Sequence, residues 1–275
     1  MVNSLDTIPV ILSFSGLDPS GSTGIQADIE TIGAHGCHAA PLITTLAIQD
    51  STRIHQLLPI SASLLLEQAR MVLEDSPVKA IKIGLLGSVD QVRALHTLLR
   101  DYPHIPVMLD PLSTHRFPML LDQDIPEAVR ALLFPLATLC IINTTQVRDL
   151  SKGADSFDAC VHELLAHAIP YILLTGGHEP TVDIVNRLYS KFRLLQDYPW
   201  PRLPHVFSGA GTTLAASTVA LLAQGLDVPA AVHQAQTYTF ECLKRGYRIG
   251  MGDPIPNRVY WAKGNLNPLC EATKS

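Results

Sequence analysis

The chain is 275 residues long, 47% hydrophobic and 16% charged, with 20 Lys and Arg against 25 Asp and Glu for a formal net charge of −5. Such a composition can bury a large core and argues against disorder, and without a clustered basic excess it argues against a general nucleic-acid binder. The longest apolar runs, such as residues 131–142 with Pro135 inside, reach about a dozen residues where a membrane span needs ~20.

Residues 8–14 (IPVILSF) predict a buried strand. Glycines and small polar residues follow over 16–24, then Ile25, Ile29 and Ile32 recur at helical spacing and Gly36 marks a helix stop. A second strand is expected over 42–48, with a further strand or flap over 51–60. Residues 61–73 predict a helix with Leu64, Leu65 and Ala69 turned inward. The alternation continues with a strand at 80–84, a helix at 89–99 and a strand at 107–110 that ends in Asp110. Asp124 and Glu127 have the spacing of an N-cap box, with Pro126 in the first turn, opening a helix to Leu133. A strand at 139–142, a helix near 157–167 and a strand at 171–174 follow. Residues 182–207, rich in aromatics and prolines, break the rhythm as a hairpin-like excursion, and helices are expected at 212–225 and 229–245.

Strands alternating with helices of about 10–15 residues predict parallel βαβ units. No linker rich in Gly, Ser or charge divides the sequence, so residues 1–275 are expected to form one α/β domain with helices on both faces of the sheet. Ligands of such sheets sit beyond the carboxyl ends of the strands. No basic segment followed by a long apolar stretch opens the chain, so no signal peptide is expected. Cys37, Cys140, Cys160, Cys242 and Cys270 are odd in number, widely spaced and without a CxxC pair, which predicts a reduced, cytoplasmic protein.

Two segments have the form of ligand loops. Ser208-Gly209-Ala210-Gly211-Thr212-Thr213 precedes an apolar helix. A small-residue turn there presents free backbone N–H groups, and the helix dipole adds roughly half a positive charge, which suits phosphate. A tight turn for close helix packing uses the same residues, and no GK[ST] follows to make a Walker A motif. Gly16-Leu17-Asp18-Pro19-Ser20-Gly21-Ser22-Thr23-Gly24 follows the first strand and does not match GxGxxG. Asp28, just inside the next helix, is either a hydrogen-bond acceptor for substrate or a carboxylate placed favourably near a helix N-terminus. Asp110 at a strand end suits Mg²⁺ held through water, or a turn cap. Gly176-Gly177-His178 reads as a plain turn. The eleven histidines show no metal-ligand spacing, and His35, Cys37 and His38 read as a helix-end cluster rather than a zinc site.

The blocks 15–21 (SGLDPSG) and 24–28 (GIQAD) resemble the N-terminal signature of the hydroxymethylpyrimidine/phosphomethylpyrimidine kinases, of the ribokinase-like superfamily. The likeness continues through Thr44-Thr45-Leu46-Ala47-Ile48-Gln49, Lys82-Ile83-Gly84-Leu85-Leu86, Leu109-Asp110-Pro111, Asn143, Gly176-Gly177-His178 and Gly209-Ala210-Gly211-Thr212-Thr213-Leu214, and residues 250–257 resemble the family's terminal glycine-proline segment. It implies a ribokinase-like three-layer α/β/α fold with a mostly parallel sheet, commonly a homodimer. It implies transfer of the γ-phosphoryl group of ATP, with Mg²⁺, to a pyrimidine hydroxymethyl group or its phosphate in thiamine synthesis. By position, Gly16, Asp28 and Gln49 would read the pyrimidine with Leu85 as an apolar wall. Asp110 would lie near Mg²⁺ and phosphate. Asn143, Thr175, Gly177 and Ala210 would border the nucleotide phosphates, and Gly209, Gly211 and Thr212 would form the catalytic anion hole.

The phosphate side departs from the family pattern. Thr212 stands where these kinases usually carry Cys, Gln146 where Asn-x-x-Glu supplies a carboxylate, and Thr175 where a Lys precedes the Gly-Gly turn. The stretch 111–116 (PLSTHR) lacks the usual Ser-Gly loop, and His115 or Arg116 could replace the lost cation. Three such losses could cost on the order of 10²–10³ in rate each. Two readings follow: a pyrimidine kinase weakened at its phosphate site, or a catalytically silent homologue that binds a pyrimidine or pyridoxal-like ligand.

Overall fold

Strand β1 (Val10–Leu17) sends Leu12 and Phe14 to one face of the sheet and Ile11 to the other, all at zero exposure. A strand covered on both faces is the mark of a parallel sheet under crossover helices. In the computed structural model, which describes residues 8–111, 121–151 and 154–262, β1 lies between β2 (His38–Gln49) and β4 (Val78–Ile83), parallel to both. The parallel body continues through β5 (Val107–Leu109), β6 (Leu139–Asn143) and β7 (Tyr171–Thr175). Antiparallel β3 (Ile54–Pro59) closes one edge, and the ribbon β8 (Asp183–Ser190) and β9 (Arg193–Pro201) closes the other, giving the order β3-β2-β1-β4-β5-β6-β7-β8-β9. The hairpin expected over 182–207 is thus β8–β9. Its two-residue turn puts Lys191 and Phe192 at φ 50° and 57°, the positive values that match the twist of the flanking strands.

Helices cover both faces. Helices α1 (Gly24–Ala34), α7 (Ala210–Ala223) and α8 (Val228–Lys244) pack Ile32, Ala216, Val219 and Val232 on the face of Ile11, Ala80, Met108 and Ile141. Helices α2 (Ala62–Asp75), α3 (Val89–Asp101), α4 (Ile125–Ala128), α5 (Thr144–Leu150) and α6 (Phe157–Leu165) lie on the face of Phe14, Ile81, Ile83 and Ile142. This is the three-layer α/β/α arrangement expected from the alternation. Helix α7 is buried almost all round, from Thr213 through Leu221, as expected of a helix apolar on every side.

Three local expectations need correction. Leu64 is 47% exposed, and only Leu65 and Ala69 of that helix turn inward. Asp124 makes no cap bond; its own N–H donates to Asp122 Oδ1, so Asp122 nucleates the turn instead. The helix predicted to reach Leu133 passes from α4 into a π turn (Val129–Leu133) and a 3₁₀ turn (Phe134–Leu136) with Pro135 inside. The stretch 112–116, with His115 and Arg116, and Cys270 lie outside the described residues. Among the described residues, no helix is long and apolar enough to cross a membrane.

Candidate active site

The carboxyl ends of β1, β2, β5, β6 and β7 open on one cleft, the place where ligands of such sheets sit. Gly16, Gln49 and Leu85 line one part of it, and Asp110, Asn143 and Thr175 line the strand ends. Gly209, Gly211 and Thr212, at the start of α7, line it too. These are nine of the expected site residues in one place. Ala210 and Gly177 sit beside the cleft without lining it.

The loop after β1 is held by Asp18. Its carboxylate accepts from Ser20 N and Oγ (2.8 and 2.6 Å), Ser22 Oγ (2.7 Å), and Thr23 N and Oγ1 (2.9 and 3.0 Å). Burial pushes the Asp18 carboxyl up, but these donors outweigh it and hold it below its ordinary value. A Cβ at Gly16 would sit 2.8 Å from Leu85 Cδ2, so a larger residue there would push the Leu85 side chain aside. The two residues therefore lie against each other in the cleft lining.

Asp28 is a correction. The family pattern would have it read the pyrimidine, but its carboxylate is wholly buried behind the cleft and does not line it. Ser13 Oγ donates to Oδ2 at 2.8 Å, and Lys82 Nζ lies 3.1 Å from Oδ2 and 3.0 Å from Oδ1. The reason is Lys82, which β4 points into the same interior: a buried ammonium must be paired. Lys82 Nζ also lies 3.6 Å from Asp110 Oδ2, so one cation links the interior carboxylate to the cleft-facing one. Burial lowers the Lys82 pKa, Asp28 and Asp110 raise it, and the net direction is up. Burial raises the Asp110 carboxyl, Lys82 lowers it, Asp28 raises it, and the balance is again upward. Lys82 stands in a stretch that carries the family resemblance, but of the two lysines in VKAIKI nothing local marks it as the buried one.

Gln146 has a structural role that its place in the family pattern hides. Asn143 caps α5 by accepting from Thr145 N and Gln146 N (2.9 Å each), while Gln146 Oε1 accepts from Asn143 N at 2.7 Å, a complete capping box. Gln146 Nε2 then donates to Pro111 O at 2.7 Å, tying α5 to the segment after Asp110. A glutamate could keep the box but would face the Pro111 carbonyl with an acceptor. We expect Gln146→Glu to lose about 1–3 kcal/mol, the usual cost of an unsatisfied buried acceptor; a urea melt showing equal or greater stability would remove this account. Thr175 Oγ1 donates to Ile142 O at 3.4 Å and brings no charge. Among the described residues lining the cleft, none is Lys or Arg.

No group of three or more His, Cys, Asp or Glu side chains that could hold a metal ion occurs among the described residues. An all-protein metal cage is therefore not what these residues offer. Of the two carboxylates lining the cleft, Asp18 is taken up by its own loop; Asp110 fits Mg²⁺, which is commonly held by one or two carboxylates, water and substrate phosphates.

The sequence from residue 18 to residue 257 matches the family model described as phosphomethylpyrimidine kinase. The chain belongs to the phosphomethylpyrimidine kinase family. The hydroxymethylpyrimidine/phosphomethylpyrimidine kinase of Mycobacterium tuberculosis is 32% identical over 255 residues, covering 90% of this chain and 92% of that protein. Its counterpart in Streptomyces coelicolor is 30% identical over 268 residues, covering 94% and 97%. Among solved structures, an ADP complex of Bacillus subtilis pyridoxal kinase superposes with a TM-score of 0.84 at 23% identity, over 94% of this chain and all of that one. Clostridium difficile phosphomethylpyrimidine kinase gives 0.71 at 24%, over 85% and 100%. The fold is ribokinase-like.

Proposed function

We propose that this protein transfers the γ-phosphoryl group of ATP to hydroxymethylpyrimidine, to its monophosphate, or to both, in thiamine biosynthesis. The observation that carries this is the cleft itself: in a chain of this family, Gly16, Gln49 and Leu85 share one cleft at the strand ends with the open first turn of α7. Gln49 can offer both a donor and an acceptor to an aminopyrimidine edge. Asp28 serves from behind, through Lys82, rather than by direct contact.

The first-turn N–H groups of α7, around Ala210, Gly211 and Thr212, have no partner within the helix. They are fixed donors for charge developing on the transferred phosphoryl. Asn143, Thr175 and Gly177 border the nucleotide phosphates, and Asp110 faces the metal position. Mg²⁺, when bound, neutralises phosphate charge. Thr212 can donate a hydrogen bond to that phosphate, but its hydroxyl is a poor base near neutral pH. Catalysis thus rests on positioning and charge, which is what a loose phosphoryl-transfer transition state asks for.

The reading includes a cytoplasmic homodimer. Its supports are the family, the free buried thiols Cys37, Cys140, Cys160 and Cys242, and exposed Leu46, Ile48 and Leu58 on the β2–β3 edge. The test is a mass-detected transfer assay with ATP, Mg²⁺ and, separately, hydroxymethylpyrimidine, its monophosphate and pyridoxal. Sedimentation of the same preparation reports its oligomeric state. A phosphorylated pyrimidine is the expected product. Product from pyridoxal alone would move the substrate assignment, and no product from folded protein would end the kinase reading.

A further inference from the structure

The cleft needs positive charge for a nucleotide, yet no Lys or Arg among the described residues lines it. Arg258 lies directly behind its phosphate turn. The family match stops at residue 257, so Arg258 stands just outside it. Its side chain is 1% exposed, and nearly every donor of its fork reaches a segment that shapes the cleft. Nε donates to Thr213 Oγ1 at 3.0 Å, Nη1 to Gly21 O at 3.0 Å, and Nη2 to Ser22 O. Nη1 also meets Glu30 Oε2 at 3.0 Å.

These bonds form a continuous brace. Because Nε donates to Thr213 Oγ1, the hydroxyl hydrogen is left to point at Gly209 O, 2.9 Å away. The same Ser22 carbonyl that accepts from Nη2 packs against Gly209, where a Cβ would come within 1.8 Å of it and 2.8 Å of Nη2. The guanidinium therefore touches the back of the residue whose front opens the anion turn. Its one carboxylate partner, Glu30, is a third exposed; the other bonds go to neutral oxygens, so Glu30 is the counter-charge whose removal would leave the guanidinium charge to the turn.

We propose that Arg258 is a positioning residue for phosphate: it locks the start of α7 to the loop after β1 and brings, from behind, a positive charge that no described side chain lining the cleft brings. The proposal rests on the cleft being a nucleotide site. The planar fork matters, because a lysine ammonium reaches fewer of these acceptors at once.

The test compares wild type, Arg258→Lys, Arg258→Met and Glu30→Gln. Calorimetry measures binding of AMP-PCP and of adenosine, and the melting shift with pyrophosphate reports the anion turn alone. Arg258→Lys should weaken AMP-PCP and pyrophosphate about tenfold and Arg258→Met about a hundredfold, in line with the loss of charge-assisted bonds. Adenosine, which has no phosphate, should stay within about twofold. Glu30→Gln removes the counter-charge but none of the carbonyl bonds, and should tighten AMP-PCP severalfold. If Arg258→Met does not fold, Arg258→Lys and Glu30→Gln decide. Equal losses for AMP-PCP and adenosine, or unchanged anion binding in folded variants, overturn the proposal and leave Arg258 a structural staple. If wild type binds pyrophosphate but not AMP-PCP, the kinase reading falls while the pyrophosphate comparison still judges Arg258. If it binds neither, both fall.

Discussion

Lys82→Met should cost about 3–5 kcal/mol of unfolding free energy at pH 7, the range for breaking a buried ion pair by removing one partner. Lys82 and Asp28 are both fully buried, and Asp110 is nearly so. Without the ammonium, two carboxylates share one interior, and Ser13 alone remains to donate to Asp28. The pH dependence has a definite sign. The Lys82 pKa is raised in the folded protein, so its stabilisation is complete below the unfolded lysine pKa, about 10.4, and is lost as pH climbs through the folded value. The gap between wild type and variant should be flat from pH 7 to 9 and narrow only above that pKa. Asp110 responds in the other direction. It already titrates above its ordinary value, and removing Lys82 pushes it further up, so the acid limb of kcat/KM should move to higher pH. Urea unfolding across pH, with the charge-balanced Asp28→Asn/Lys82→Met protein beside it, checks the first point, and the pH profile of kcat/KM checks the second. A loss below about 1 kcal/mol in Lys82→Met would show that the buried triad contributes no net stability; no recovery in the double variant would show that carboxylate repulsion is not the cause.

The order of strands and helices was legible because each strand of a doubly covered sheet is a short apolar run and each crossover helix an amphipathic one. The phosphate turn was legible as small residues ahead of an apolar helix. What stayed hidden was long-range polar pairing. VKAIKI reads as a strand with two lysines, yet only Lys82, one residue after Ile81, points into a buried interior, while Lys79 is exposed. Strand parity puts Lys82 with Ala80 on the α1 face; its partner Asp28 is 54 positions away. Arg258 bonds Gly21 across 237 positions, a contact no local pattern can announce. Competition between local signals explains Asp124: it looked like a cap, but Asp122 took the turn first. Gln146 looked like a lost metal carboxylate because the family pattern speaks of chemistry, whereas its bonds to Asn143 and Pro111 belong to the scaffold.

Gly209→Ala should cut kcat by on the order of 10²–10³, the loss that follows removal of one fixed oxyanion donor, while leaving pyrimidine binding within a fewfold. Gly209 sits at φ +85° as the N-cap of α7, a left-handed conformation that costs a residue with a Cβ about 1–2 kcal/mol. The steric demand is larger than the torsional one. An added Cβ would lie 1.8 Å from Ser22 O, which is backbone and is itself held by Arg258. The turn must therefore move as a unit, and with it the N–H groups of Gly211 and Thr212 that face the cleft. Gly16, Gln49 and Leu85 line the cleft from the ends of β1 and β2 and the segment after β4, not from α7, so the defect should appear in kcat and in the KM for ATP, not in the KM for the pyrimidine. Gly33→Ala is the control: it lies inside α1, with no atom within 4 Å of its added Cβ, and should gain up to about 1 kcal/mol from helix propensity with activity unchanged. A folded Gly209→Ala enzyme with wild-type kcat would mean that the start of α7 is not where the transferred phosphoryl group is held.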